Sequence, residues 1–258
     1  MKKFYPKMSF DHVGIAIESH ITFDMARRQR QFVDRVVSRT ADCRQGMYLV
    51  LEGLDLTGKT SQCYNLLRLL RDNSDLSIQL VDEPGGTERA DEIRRLVKNK
   101  DNQLTPQQNI ELFTEARQDL FDKVIAPALS RGVIVIADRN WWSTIAYQGL
   151  GQGVSVDEIV EYTSRKLPER YLRPDAGVIM MTSESVQAER RLLRTKVDMD
   201  KEIIQDAFED ADDEDFMTKV ADGYRYVGKQ FDVPIVDASA NEMEVFDRVL
   251  DALLCQLN

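Results

Sequence analysis

The chain has 258 residues, 43% of them hydrophobic, and a formal net charge of −10 at pH 7. That length supports one sizeable core, or one core with a small appendage. The acidic balance argues against a nucleic-acid binder, which carries a basic face. No apolar run approaches the roughly 20 residues of a membrane helix, so no membrane partner is expected.

Met1-Lys2-Lys3-Phe4-Tyr5-Pro6 has no long apolar stretch behind it, which predicts no secretory signal. Cys43, Cys63 and Cys255 are odd in number and lack metal-ligand spacing. Reduced thiols in a cytoplasmic protein are expected. His12 and His20 are the only histidines and lie together near the start. The rest of the chain therefore has no imidazole for nucleophilic catalysis or for a zinc site.

Residues 1–46 read as an N-terminal extension. Phe23, Ala26, Phe32, Val33, Val36 and Val37 fall on one side of a helix, with Arg27, Arg28, Arg30, Arg35 and Arg39 elsewhere. The pattern predicts a helix packed on the main domain or in an oligomer contact. Asp11, Glu18, Asp24 and Asp34 weigh against a transit peptide. Cys43-Arg44-Gln45-Gly46 predicts the joint, and residues 47–258 one α/β domain.

Met47-Tyr48-Leu49-Val50-Leu51 suits a buried parallel strand, and Leu66, Leu67, Leu69 and Leu70 mark a helix face beyond it. Between them runs Gly53-Leu54-Asp55-Leu56-Thr57-Gly58-Lys59-Thr60, which matches the phosphate-binding loop G-x-x-x-x-G-K-[ST]. Its glycines let backbone N–H groups face phosphate oxygens, and the following helix adds its positive dipole end. Lys59 is placed to reach the β- and γ-phosphates of a nucleotide, and the Thr60 hydroxyl to ligate Mg²⁺.

Ser77–Val81 is the second expected strand, closed by the turn-forming Asp82-Glu83-Pro84-Gly85-Gly86-Thr87. Helices are expected over 88–97 and, from the Thr105-Pro106 start, through to Arg131. Val133–Ala137 is the third strand, with Asp138-Arg139 at its carboxyl end. Strand-end Asp138 reads as a metal-holding acid and Arg139 as a phosphate fork. Ligands of an open α/β sheet bind outside the carboxyl ends of strands, where three of these loops agree.

Phe113-Thr114-Glu115-Ala116-Arg117 and Ala146-Tyr147-Gln148-Gly149 mix aromatics with hydrogen-bonding groups. Phe113 is a candidate base-stacking ring with Arg117 and Gln148 at the base edge, or a core residue. Trp141 and Trp142 read as packing. Further strands are expected at 177–181 and 233–237, where Pro234 hints at an edge, and a helix at 242–254. Arg190, Arg191, Arg194 and Lys196 form a basic cluster, followed by acids from Asp198 to Asp215. This predicts a helical lid over about 190–215 that brings positive charge to a moving phosphoryl group.

In this order, the segments resemble the thymidylate kinase (dTMP kinase) family, over about four fifths of the chain from Met47 onward. The carriers are Leu51-Glu52-Gly53 leading to Gly58-Lys59-Thr60, Glu83-Pro84-Gly85-Gly86-Thr87, Phe113 to Arg117, Asp138-Arg139 and Ser143 to Gly149. Arg173-Pro174-Asp175, Gly223-Tyr224 and Asp237-Ala238-Ser239 complete the series. The resemblance implies a three-layer α/β/α P-loop fold with a five-stranded parallel sheet. It also implies transfer of the ATP γ-phosphoryl group to dTMP with Mg²⁺, by a cytoplasmic homodimer.

It further implies site roles. ATP is expected on Gly53, Asp55, Leu56, Thr57, Gly58, Lys59, Thr60 and Ser61, and the metal on Thr60 and Asp138. The acceptor is expected on Asp55, Glu83, Pro84, Phe113, Arg117, Arg139, Thr144, Tyr147 and Gln148. Catalysis is expected from Lys59, Asp55, Arg139, Arg190, Arg191 and Arg194. The chain departs from the family pattern at Leu56, Asp82, Gln152, Met180 and Ala207. Two other readings remain at this point: a kinase of the same fold preferring dUMP or a modified deoxypyrimidine monophosphate, and a nucleotide-binding regulator without turnover.

Overall fold

Five apolar runs become five parallel strands; the three central ones are buried on both faces, and the two edge strands are partly exposed. The computed structural model describes residues 23–43, 45–197 and 214–258. The chain runs α1 (Phe23–Cys43), β1 (Tyr48–Gly53), α2 (Lys59–Asn73), β2 (Ile78–Asp82), α3 (Glu88–Lys98) and α4 (Pro106–Leu120). There follow α5 (Ala126–Ser130), β3 (Ile134–Asp138), α6 (Trp142–Thr144), α7 (Val156–Lys166), α8 (Glu169–Leu172) and β4 (Ala176–Met181). The described chain ends with α9 (Glu184–Val197), α10 (Glu214–Gln230), β5 (Ile235–Asp237) and α11 (Glu242–Leu257).

The strand order is β2-β3-β1-β4-β5. All pairs are parallel, with Leu51 opposite Asp138 and Asp82 opposite Asp138 on its other side. This register brings the ends of β1, β2 and β3 together. Successive β1 residues enter opposite layers, since side chains alternate along a strand. Tyr48 and Val50 join Ile110, Leu120 and Tyr224, whereas Leu49 and Leu51 join Leu66, Phe246 and Leu250. Pro234 sits just before edge strand β5, where its carbonyl accepts from Ile179 N–H at 2.9 Å and its missing donor costs nothing.

Helix α1 packs beside α11 and α2. Phe32, Val33 and Val36 are buried, but Ala26 is exposed and Val37 is 39% exposed, while Met25 is buried in their stead. The buried stripe is thus narrower than the sequence pattern suggests, and it continues at Thr40, whose hydroxyl donates to Val36 O at 2.8 Å. Arg28 pairs with Asp247 and Asp251, and Arg39 donates to the carbonyl of Leu257. The Phe23 side chain and residues 1–22 lie outside the described set. At the expected joint, Gly46 N–H donates to Leu129 O at 2.7 Å, and a Cβ there would lie 1.9 Å from Val133 O. Only glycine fits that contact.

The expected long helix through Arg131 is interrupted. Thr105 and Gln108 form a capping box, but after Leu120 the chain makes a wide π turn at Phe121–Ile125 before α5. Pro127 explains the break: it lacks the N–H that a regular helix donates, and its ring crowds the preceding turn. A second wide turn, Ile145–Gly151, continues α6. No helix among the described residues is long and apolar enough to cross a membrane.

Candidate active site

The loop between β1 and α2 is shaped by three residues in the left-handed region: Gly53 (φ 135°), Leu56 (φ 64°) and Gly58 (φ 89°). Gly53 lies so close to β4 that a Cβ would stand 2.0 Å from Met180 O. Lys59 opens α2 and is 6% exposed. Its ammonium donates to Leu54 O at 2.8 Å and stands 3.9 Å from the Asp55 carboxylate. Burial and the nearby Arg139 push its pKa down, while Asp55, Asp138 and Glu52 oppose them. The Thr60 hydroxyl donates to Asp138 Oδ2. These two hard oxygens already converge at the strand end, and oxygen ligands of this kind suit Mg²⁺ beside nucleotide phosphates.

Arg139 follows β3 with φ 76°, its N–H bonded to Leu51 O. NH1 donates to Gly53 O at 3.0 Å and to Tyr224 OH at 2.8 Å, and NH2 donates to Asp55. Burial raises the cost of ionising Asp55, but the charges of Arg139 and Lys59 outweigh it and hold the carboxyl down to about 2. Behind Arg139 lies Glu52, fully buried in β1. Its carboxylate accepts from Asn140 N at 2.8 Å, Ser143 N at 3.1 Å and Tyr224 OH at 3.0 Å. A buried polar group needs such partners to offset its lost hydration.

At the far end, Arg117 is 3% exposed. It donates through Nε to Glu83 at 3.1 Å, through NH1 to Thr144 Oγ1 at 2.8 Å and through NH2 to Asn140 O at 2.9 Å. Its guanidinium carbon lies 5.5 Å from the centre of the Phe113 ring. Glu83 accepts a second bond from Tyr171 OH, and burial pushes its carboxyl up to about 7 against both partners. Tyr147 reaches Asp55 at 3.4 Å, and Gln148 is 1% exposed with no partner on Nε2 among the described residues. One cavity of about 440 Å³ joins these groups to Lys59, Thr60, Ser61, Asp138 and Arg139. Phe113, Tyr147 and Gln148 therefore line a cavity as well as packing.

Residues 51–249 match the thymidylate kinase family profile. The chain belongs to the thymidylate kinase family. A thymidylate kinase of Chlorobaculum tepidum is 30% identical over 210 residues, covering 80% of this chain and 96% of the relative. One from Buchnera aphidicola is 37% identical over 154 residues, covering 59% and 72%. The crystal structure of thymidylate kinase from Ehrlichia chaffeensis superposes with a TM-score of 0.62 at 26% identity, covering 81% of this chain and 98% of that one.

Within this thymidylate kinase fold, the departures have visible neighbours. Asp82 accepts from Arg94 NH1 at 3.3 Å, and the same nitrogen donates to Pro84 O at 2.7 Å. Arg94 thereby lines the cavity beside Asp82. Arg94 carried no mark in the sequence; it lies in a charged helix like any solvated residue. Glu52, Ser143 and Tyr224 were also missed as chemistry, although a single acid at the end of the apolar run Tyr48–Leu51 is a signal. Met180 is buried in the core, and Leu56 offers its carbonyl to Arg190 at 2.9 Å.

Arg190 also donates to Ala238 O at 2.9 Å, so it spans the phosphate loop and the segment after β5. It borders a second cavity of about 270 Å³ with Gly58, Gln62, Ala240 and Val245. Arg191 is half-buried on α9. The side chain of Arg194, and Ala207 with most of the acidic run, lie outside the described residues.

Proposed function

We propose that the protein transfers the γ-phosphoryl group of ATP to dTMP, giving dTDP and ADP. The observation that carries this reading is the base end of the larger cavity. Thr144 Oγ1 accepts from Arg117, so its own proton is left to donate. Arg117 uses one hydrogen on each of its three nitrogens, out of five, and Gln148 Nε2 is unpartnered among the described residues. The edge is rich in donors. Such an edge suits the carbonyl oxygens of thymine and disfavours the amino group of cytosine. The Phe113 ring provides the stacking face, and Tyr147 borders the sugar.

The chain's part in the reaction is alignment and charge balance, with no covalent intermediate. Backbone amides of Gly53 to Ser61 and the Lys59 ammonium cradle the donor phosphates. Thr60 and Asp138 would hold Mg²⁺, which supplies charge neutralisation on the β- and γ-phosphate oxygens when bound. Arg139 and Arg94 face the acceptor phosphate, and Asp55 orients Arg139. Arg190, held by two carbonyls, walls the smaller cavity for the adenine, which leaves Arg191 and Arg194 to bring charge over the moving group. Glu83 and Pro84 act from beneath: Glu83 through Arg117, and the Pro84 carbonyl through Arg94. On this reading the protein works in the cytoplasm as a homodimer, as its family resemblance implies.

ADP release measured with dTMP, dUMP, dCMP and dGMP tests the assignment. The expected order places dTMP first, with dCMP and dGMP at least about a hundredfold lower in kcat/KM, because mismatched buried hydrogen bonds are costly. Equal turnover of dCMP, or none of dTMP, would contradict it.

A further inference from the structure

We infer that Tyr224 is a positioning residue for phosphoryl transfer, its buried hydroxyl fixing the orientation of the Arg139 guanidinium. The inference rests on the kinase reading above for what Arg139 faces. Tyr224 lies on α10, far in sequence from the loops at the strand ends, and is fully buried. Its hydroxyl accepts from Arg139 NH1 at 2.8 Å and donates to Glu52 Oε2 at 3.0 Å, with Ser143 Oγ 3.1 Å away. A hydroxyl has one proton to give, so the carboxylate of Glu52 fixes which way it points and leaves a lone pair for the arginine.

The consequence for Arg139 is geometric. Gly53 O, Tyr224 OH and Ser143 Oγ together occupy NH1, the last at 3.3 Å. NH2 gives one bond to Asp55. The Tyr147 hydroxyl bonds the guanidinium as well, so these partners together set the direction in which Arg139 meets a phosphate. Without the Tyr224 hydroxyl, NH1 loses the shortest of its three bonds, and the guanidinium gains freedom to rotate toward Asp55.

The helix that carries Tyr224 is itself held closely. A Cβ on Gly223 would lie 2.6 Å from Ala146 Cα, and one on Gly151 2.8 Å from the Phe216 ring. The Tyr224 ring meets the Tyr147 ring edge-on, with centroids 6.3 Å apart. So α10 is packed against the very segment that carries Thr144, Tyr147 and Gln148. The hydroxyl is delivered by a rigid support, as a positioning group must be.

Calorimetric titration of dTMP and of ATP into the full chain tests this. Tyr224→Phe keeps the ring and removes only the hydroxyl. It should raise the dTMP Kd about tenfold, the scale of one hydrogen bond to a charged group, and leave the ATP Kd within about twofold. In an Arg139→Met background, adding Tyr224→Phe should change the dTMP Kd by less than about twofold, because both act through one contact. A folded Tyr224→Phe protein with unchanged dTMP affinity would overturn the inference. So would an equal loss in the Arg139→Met background, or a parallel loss of ATP affinity. Should Tyr224→Phe fail to fold, Tyr224→Met, which also lacks the hydroxyl, takes its place in the same cycle with the same criteria. Binding is read directly, so the result stands apart from the turnover assay that tests the kinase reading.

Discussion

Glu83 shows how one residue carries opposing forces. Its carboxylate is fully buried, which favours the neutral form, while Arg117 and the Tyr171 hydroxyl favour the charged one. Burial wins, and the group titrates at about 7. A carboxyl raised above its unfolded value contributes stability that is present at low pH and is lost as pH rises through about 7. Glu83→Gln removes the titration and keeps an acceptor for both donors. Its thermal midpoint should therefore gain on the wild type as pH rises from about 5 to about 8. A difference that stays constant over that range would contradict the assignment. Glu83 also marks where sequence reading stops. The Glu-Pro-Gly-Gly turn placed it at the site, but only the fold shows that it supports Arg117 from below. Lys59 and Thr60 were legible because the phosphate loop fixes their spacing. Tyr224 was not legible as chemistry, since its partners Glu52 and Arg139 come from distant strands.

Among the elements, α1 makes the clearest case that pattern and packing differ in detail. Its amphipathic face was visible, yet the stripe that is buried centres on Phe32, Val33 and Val36 and leaves Ala26 and Val37 outside. Periodicity gives a face, and the neighbouring helices decide how wide it is. Phe32 is fully buried in the layer formed with α2 and α11. Phe32→Ala should cost about 3–5 kcal/mol in chemical denaturation, the usual range for a buried phenylalanine. A loss below about 1 kcal/mol would mean that α1 is peripheral to the fold. The strands were legible within a residue or two because doubly covered parallel strands are continuous apolar runs. The wide turns at Phe121–Ile125 and Ile145–Gly151 were not, because nothing in local composition separates an α turn from a π turn.

For the whole molecule, a chain of net charge −10 still gathers five of its cations at one mouth. Lys59, Arg94, Lys98, Arg117 and Arg139 all border one cavity at the carboxyl ends of β1, β2 and β3. The sheet order makes this possible by setting β1 beside β3 and β3 beside β2, so three loops far apart in sequence share one mouth. That convergence was readable from strand-end placement, whereas the second cavity beside Arg190 needed the fold. At this mouth a phosphoryl group is expected to pass from ATP to dTMP. The most direct measurement follows γ-labelled ATP with Mg²⁺ and dTMP, and asks where the label goes. Label is expected in dTDP at a rate about a hundredfold or more above that of Lys59→Ala, which loses one preorganised cation. Label that stays in ATP, or that appears only as inorganic phosphate, would contradict it.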